Sequence, residues 1–287
     1  ANLIDTSQSE PVVDVQKIKR EPFIIENTGF DRHHTRANLK IQDGCDFYCA
    51  FCIIPFARGP ARSRVYEDIL KEARLLAEHG FQEVVLTGIN IGTYDYNGKT
   101  FMDVVEGLSE ISRIKRIRIS SIEPTTIPLE LFNQMKENPK LCRHLHIPLQ
   151  SGTDEVLRGM SRKYTMKEFH EFITLGELTV PGLCIGTDVI VGFPGETDEL
   201  FEQTYSYLES SPIDYFHVFS YSERKMARSK KFESQVPKEI IAIRSKRLRQ
   251  LSNQKKELFL NEHVLKTEPV LFEQHKKGVW IGNTDNY

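Results

Sequence analysis

The stretch KIQDGCDFYCAFCIIPFARGPARSR, residues 40–64, holds three of the chain's five cysteines, Cys45, Cys49 and Cys52, spaced C-x3-C-x2-C. A strand-like run, ANLKIQ (37–42), leads into it, and a basic loop broken by Pro and Gly leads out. A structural zinc site wants four closed ligands. Here it would have to recruit Cys142, His144, His146 or Cys184. A redox dithiol needs only C-x2-C and leaves Cys45 without a part. Three thiolates can instead hold three corners of a [4Fe–4S] cluster and leave the fourth iron open to a small molecule.

The surrounding pattern suits the third reading. Strand-like runs recur at 83–88 (EVVLTG), 116–122 (RIRISSI), 144–150 (HLHIPLQ), 186–192 (GTDVIVG) and 215–221 (YFHVFSY). Helical periodicity lies between them, first in YEDILKEARLLAEHG, where Ile69, Ala73, Leu76 and Ala77 share a face and Gly80 ends the helix. Further helices are expected near 101–112, 128–137, 165–177 and 197–209, with SGTDEV and PGETDE supplying caps. Six β–α repeats imply a parallel sheet with right-handed crossovers. In the fourth strand Leu145, Ile147 and Leu149 share one face and His144, His146 and Gln150 the other. A doubly wound sheet is apolar on both faces, so a polar inner face predicts an α/β fold curled into a partial (β/α)6 barrel. In such folds ligands bind beyond the carboxyl ends of the strands. The cysteine loop lies at that end, whereas Cys142 and Cys184 precede their strands and read as small buried apolar residues.

Composition excludes several classes. Hydrophobic residues make up 39% and charged residues 27%, with no apolar run near the ~20 residues that cross a bilayer. The N-terminus lacks a signal-peptide layout. An odd number of cysteines, three of them clustered, is not a disulfide framework. A cytoplasmic location is expected. The net charge of -2 hides a basic segment, residues 223–257, with twelve Lys/Arg against four Asp/Glu. Such a segment is either a solvated helix face or a track for a polyanion. After Pro237 a long basic helix is expected, then a hairpin turning at Lys277-Gly278. The organisation read from these patterns is a linker or remnant of a further N-terminal domain over 1–34 and a barrel over 35–236. A connecting helix over 237–263 and the start of a β-domain over 264–287 complete it.

C-x3-C-x-φ-C with aromatic Phe51 before the last cysteine, following the first strand of a six-fold β/α chain, resembles the radical S-adenosylmethionine signature. LTGINIG, HLHIPLQSGTDEVLRGMSRKYT and TDVIVGFPGETDE look like the methylthiotransferase branch, which replaces a C–H by a methylthio group. SSIEP and the closing GNTDNY look most like the tRNA threonylcarbamoyladenosine methylthiotransferases. The resemblance implies that Cys45, Cys49 and Cys52 hold a [4Fe–4S] cluster whose open iron chelates S-adenosylmethionine. Cleavage of that cofactor would give a 5′-deoxyadenosyl radical that removes hydrogen from C2 of N6-threonylcarbamoyladenosine beside the anticodon. It also implies a second [4Fe–4S] cluster on a further N-terminal domain, and the last strands would begin an RNA-binding domain of TRAM type. The span given would then be limited to cofactor binding and cleavage. A flavodoxin- or ferredoxin-type reductant, a tRNA substrate and a monomeric state are expected.

Candidate cofactor contacts are Phe51, Thr87, Gly88 and Asn90 in and beside TGINIG, with Glu123, Gln150, Arg162, Asp188 and Gly192. Arg162 suits a carboxylate, and Gln150 and Asp188 have inward parity. GFPGET lacks the Lys-Ser/Thr ending of a phosphate loop and reads as an adenine pocket. Arg58, Arg62 and Arg64, with Arg244 and Arg247, are candidates for phosphate contacts. His144, His146 and His217 are read as interior histidines and assigned no metal. The alternatives are another radical enzyme of the same fold and a zinc-stabilised RNA-binding module.

Overall fold

The computed structural model describes residues 18–26 and 35–287. Strands β1 (Arg36–Lys40), β2 (Glu83–Thr87) and β3 (Arg116–Ile119) form one parallel sheet, and β4 (His144–His146), β5 (Cys184–Val191) and β6 (Tyr215–Ser220) another. Parallel bridges Ile117↔Leu141 and Ser121↔His146 join β3 to β4. The six strands therefore make one curved, partial barrel. Among the described residues β6 and β1 are not paired, so the curl stays open on that side.

Helices α1 (Ile54–Arg58), α2 (Tyr66–Glu78), α3 (Phe101–Ser109), α4 (Glu130–Glu137), α5 (Asp154–Gly159), α6 (Met166–Thr179) and α7 (Asp198–Ser210) connect the strands. The core lies between the outer sheet face and these helices, with Leu39, Val84, Leu86, Ile117, Leu145, Ile147 and Leu149 buried in it. The alternate positions, among them Asn38, Arg118, His144 and His146, line an inner cavity of about 600 Å³. This is the division that the parity of the fourth strand predicts. The strand itself ends at His146, and Gln150 beyond it is itself left-handed, φ 69°. Thr197 caps α7 through the Leu200 N–H (3.2 Å), and a Thr165–Glu168 capping box starts α6. Thr153 sits at the start of α5, but its hydroxyl makes no capping bond.

The long basic helix α8 spans Lys238–Glu262 and buries Ile241, Leu248, Leu251 and Phe259. Its Ser252 hydroxyl pairs with both the N–H and the C=O of Phe216 in β6, at 2.8 and 2.7 Å. The hairpin consists of β7 (Leu271–Lys276) and β8 (Val279–Asn283). Lys277 and Gly278 turn it with φ of 50° and 80°, the two positive angles of a type I′ turn. The chain then runs under the barrel. Arg116 donates to Pro269 O (2.7 Å) and Asn283 O (2.9 Å), and Arg118 to Thr284 O and Asp285 O. Arg143 grips the Asp285 carboxylate with two bonds, and the Tyr287 ring stacks on His144 at 4.7 Å. These residues floor the cavity.

The region expected as a linker, 1–34, lies outside the described residues except for 18–26. There Phe23 bridges to Arg64, and its ring takes the cations of Lys40 (5.5 Å) and Arg62 (5.0 Å).

Asp214 precedes β6 and accepts the Ile185 N–H at 2.7 Å. Burial pushes its carboxyl up to about 6, against that hydrogen bond and the Lys255 charge. The folded state therefore holds this proton more tightly than the unfolded chain, and the stabilisation fades as pH rises from about 4 through 6. Asp214→Asn, which keeps an acceptor, is expected to gain roughly 2 kcal/mol relative to the native chain between pH 4.5 and 7.5. Urea unfolding at the two pH values measures the difference. An unchanged gap would show that Asp214 is solvated.

Candidate cofactor site

The site starts where β1 stops. Gln42 and Asp43 pair antiparallel with Arg62–Ser63, so the cysteine loop leaves and returns at one point. The Gln42 side chain is fully buried, and its Oε1 accepts the N–H groups of Ile89 (2.9 Å) and Asn90 (2.8 Å). Its amide nitrogen donates back to Gly44 O at 2.8 Å. One side chain thus fixes the loop after β2 against the cysteine loop. Gly44 has φ 72°, and a Cβ there would fall 2.0 Å from Pro60 O, so only glycine fits. Asp43 collects Lys40 (2.9 Å), Arg58 (2.9 Å), Arg62 (3.1 Å) and the Gly44 N–H. Burial opposes its charge, but the Lys40 and Arg58 cations prevail and hold its carboxyl at about 2.

Beyond this stub the three thiols are half-buried. Each has a donor near it. Phe47 N–H lies 3.5 Å from Cys45 Sγ, Arg162 Nη1 3.4 Å from Cys49 Sγ, and Ile54 N–H 3.4 Å from Cys52 Sγ. Burial pushes the Cys45 thiol up to about 11 and moves Cys49 upward too, with the Arg162 charge opposing at Cys49. A bound metal cluster reverses this, because coordination takes thiolates and releases protons. Four-coordinate zinc with Zn–S of about 2.3 Å would bring its sulfurs to roughly 3.8 Å apart. Among the described residues, the cysteines do not form a group whose ligand atoms all lie within 4.8 Å of one another. As placed, the three sulfurs do not present a closed site for a single ion. Cys142 and Cys184 are buried away from the trio, and burial pushes Cys142 up to about 12.

Arg162 is the link from the thiols to the barrel. It pairs with Glu123, and its Nε donates to the Tyr164 hydroxyl at 3.1 Å. That hydroxyl lies 2.8 and 2.7 Å from the carbonyls of Pro148 and Leu149 at the end of β4. Burial moves the Glu123 carboxyl upward while Arg162 opposes it. Two further expected residues bring unpartnered polar atoms, Asn90 Nδ2 and Gln150 Oε1, both buried. Buried polar groups are normally satisfied, so these orphans fit a small polar ligand, as the cofactor expectation requires. Phe51 packs beside Phe193, Val156 and Met160. Thr87 ends β2, and a Cβ on Gly88 would meet Ile91 and Gln42, so its close approach is to the protein itself. At Gly192 a Cβ would fall 2.3 Å from Ile241, so that glycine makes room for α8. Asp188 lies deeper, between His146 (2.9 Å) and His217 (3.5 Å).

Two of the expected phosphate ligands are corrected by burial. Arg64 is fully buried and paired with Asp68 and Glu72, and Arg244 is 5% exposed and paired with Glu196 and Asp198. A guanidinium saturated by two carboxylates inside the fold has no face for a phosphate. Arg58, Arg62 and Arg247 remain partly exposed, each already beside a carboxylate. Sequence reasoning missed Gln42, Asp43 and Tyr164. Only the polar pair QD closing an apolar strand hinted at the first two.

A parallel partial barrel carrying a three-thiol loop beyond its first strand, with an ion pair and orphaned polar atoms close by, defines a class of iron–sulfur enzymes. The Radical SAM superfamily profile matches residues 39–208, and the chain belongs to that superfamily. Its fold is similar to three solved structures at 14–16% identity. The methyltransferase TsrM from Kitasatospora setae has a TM-score of 0.55 over 71% of this chain and 41% of that one. Coproporphyrinogen III oxidase (HemN) from Escherichia coli has 0.53 over 79% and 52%, and methylornithine synthase (PylB) 0.53 over 80% and 70%. The chain is 41% identical to a threonylcarbamoyladenosine tRNA methylthiotransferase of Bacillus subtilis, over 88% of this chain and 58% of that protein. It is 38% identical to the protein of that name from Aquifex aeolicus, over 79% and 56%. A tRNA-2-methylthio-N(6)-dimethylallyladenosine synthase of Acetivibrio thermocellus is 36% identical over 80% and 49%. The chain thus spans about half to six-tenths of the length of these relatives.

Gln42→Ala leaves one buried and one part-buried N–H group without an acceptor and is expected to cost about 2 kcal/mol. Gln42→Glu keeps the acceptor but turns a buried carboxylate oxygen onto the Gly44 carbonyl, and should cost at least as much. Denaturant titration of the three proteins tests the order, and equal stability of all three would remove Gln42 from its proposed place.

Proposed function

We propose that this chain is the radical S-adenosylmethionine core of a tRNA methylthiotransferase, acting at C2 of N6-threonylcarbamoyladenosine beside the anticodon. The observation that carries the reading is the half-buried three-thiol loop beyond the first barrel strand, with Arg162 against Cys49, in a chain 41% identical to an enzyme named for that modification. Cys45, Cys49 and Cys52 would hold the [4Fe–4S] cluster, and the open end of the barrel would receive S-adenosylmethionine. When bound, that pair supplies reductive radical chemistry on an unactivated C–H bond.

The remaining work falls to residues of the chain. Arg162 holds positive charge at 3.4 Å from Cys49 Sγ and is itself oriented by Glu123 and Tyr164. Asn90 and Gln150 offer a donor and an acceptor to the cofactor's polar ends. Apolar packing of Phe51 and Phe193 excludes water from one wall. Arg58, Arg62 and Arg247, with the exposed lysines of the basic segment, would draw in an RNA backbone, and a splayed single-stranded base is what such a site can reach. The proposed organisation is a barrel over 35–236, a connecting helix over 237–263 and an RNA-binding β-element from 264. A tRNA substrate, a low-potential electron donor and a cytoplasmic setting belong to the same proposal. No helix among the described residues is long and apolar enough to cross a membrane.

Anaerobic reconstitution is expected to load about four irons and four sulfides per chain. Cys49→Ala should lose the cluster and all reductive cleavage of S-adenosylmethionine, and persistent cleavage would defeat the assignment. Mass spectrometry of nucleosides from tRNA of cells with and without the gene reads the substrate. Loss of 2-methylthio-N6-threonylcarbamoyladenosine is expected on deletion. Unchanged levels would assign the barrel to another substrate. The double change Arg58→Glu and Arg247→Glu should weaken tRNA binding and flatten its salt dependence by about one unit per lost phosphate contact, as filter binding at several salt concentrations would show.

A further inference from the structure

The floor and the middle of the barrel are built as two layers. In the lower layer the Tyr215 hydroxyl meets His144 Nε2 at 2.8 Å. Between them on β5 stands Gly186, where a Cβ would fall 2.4 Å from the Tyr215 ring. The glycine lets the tyrosine lie across the middle strand. Two residues further along each strand, on the same inward face, stand His146, Asp188 and His217. Registers β4–β5 and β5–β6 pair His146 with Gly186 and Asp188 with His217, so the carboxylate falls between the two imidazoles.

In the upper layer one contact has an ordinary hydrogen-bond length and the other does not. His146 Nε2 and His217 Nδ1 both address the same oxygen, Asp188 Oδ1, at 2.9 and 3.5 Å, and the second is too long for a good hydrogen bond. Two donors each about 2.1 Å from one ion lie roughly 3.0 Å apart at a right angle and 3.4 Å apart at the tetrahedral angle. The two measured edges bracket these values. The three ligand atoms lie within 4.8 Å of one another, the one group of three His, Cys, Asp or Glu among the described residues to do so. His146 and His217 face the cavity of about 600 Å³, which leaves room for further ligands on the ion.

We propose that His146, Asp188 and His217 form a binding site for a divalent first-row transition-metal ion, separate from the three cysteines. Two imidazoles and one carboxylate suit Zn2+, Co2+ or Fe2+ with open positions toward the cavity. The set stands independently of the tRNA assignment, because it rests on three registered side chains alone.

The test uses the full chain with Cys45, Cys49 and Cys52 changed to Ser, so that the clustered thiols cannot take the ion; Cys142 and Cys184 are buried. Titration with Co2+ should saturate at one ion per chain. The visible spectrum should be that of nitrogen and oxygen ligands, without a thiolate charge-transfer band. His146→Ala or His217→Ala in the same background should weaken Co2+ at least roughly tenfold at an unchanged circular dichroism spectrum. His217 is exposed, so its replacement spares the core. Should the triple-serine chain not fold, the cluster-loaded native chain is equilibrated with zinc and desalted. One zinc per chain is then expected, lost in His217→Ala at constant iron content. Absence of stoichiometric metal, or metal retained equally by His217→Ala, overturns the site.

Discussion

The buried amide of Gln42 is the joint on which the site depends. It stands with Asp43 just ahead of the cysteine loop, and it satisfies backbone N–H groups from the loop after the neighbouring strand. The energetic logic is asymmetric. Each hydrogen bond contributes about 1 kcal/mol net, but a buried donor left unpaired costs more. The two loops therefore stay together, since separating them inside the fold strands polar groups. Asp43 adds an electrostatic clasp, drawing Lys40, Arg58 and Arg62 to the same point. The thiols inherit their placement from this pair of residues.

The barrel's interior chemistry follows from strand parity. Outward positions carry Leu, Ile and Val into the core against the helices, and inward positions carry His, Arg, Asn and Tyr into the cavity. That division was legible in the fourth strand, where alternation of His and aliphatic residues has one physical solution. The hairpin was legible for the same kind of reason, because Lys277-Gly278 supplies the two left-handed residues that its turn needs. The cysteine spacing marked the loop to which the proposed cluster is assigned.

What was not legible depends on contacts across the chain. Arg64 and Arg244 belong to strongly basic stretches, and a count of charges cannot say which of them turn inward to carboxylates more than one helical turn away. Gln42 and Asp43 look like ordinary polar residues until the loops from β2 and from residues 58–62 close over them. The convergence of His146, Asp188 and His217 needed three strands in register. Each histidine alone reads as an interior residue.

Strand β3 joins two distant parts of the structure. At its beginning Arg116 holds both ends of the hairpin, through Pro269 O and Asn283 O, and Arg118 holds the segment that follows. Just past its end comes Glu123, partner of the arginine that touches Cys49. The anchorage of the hairpin and the ion pair beside the thiols are thus the two ends of one short run of chain, residues 116–123, so neither foothold can shift without the other.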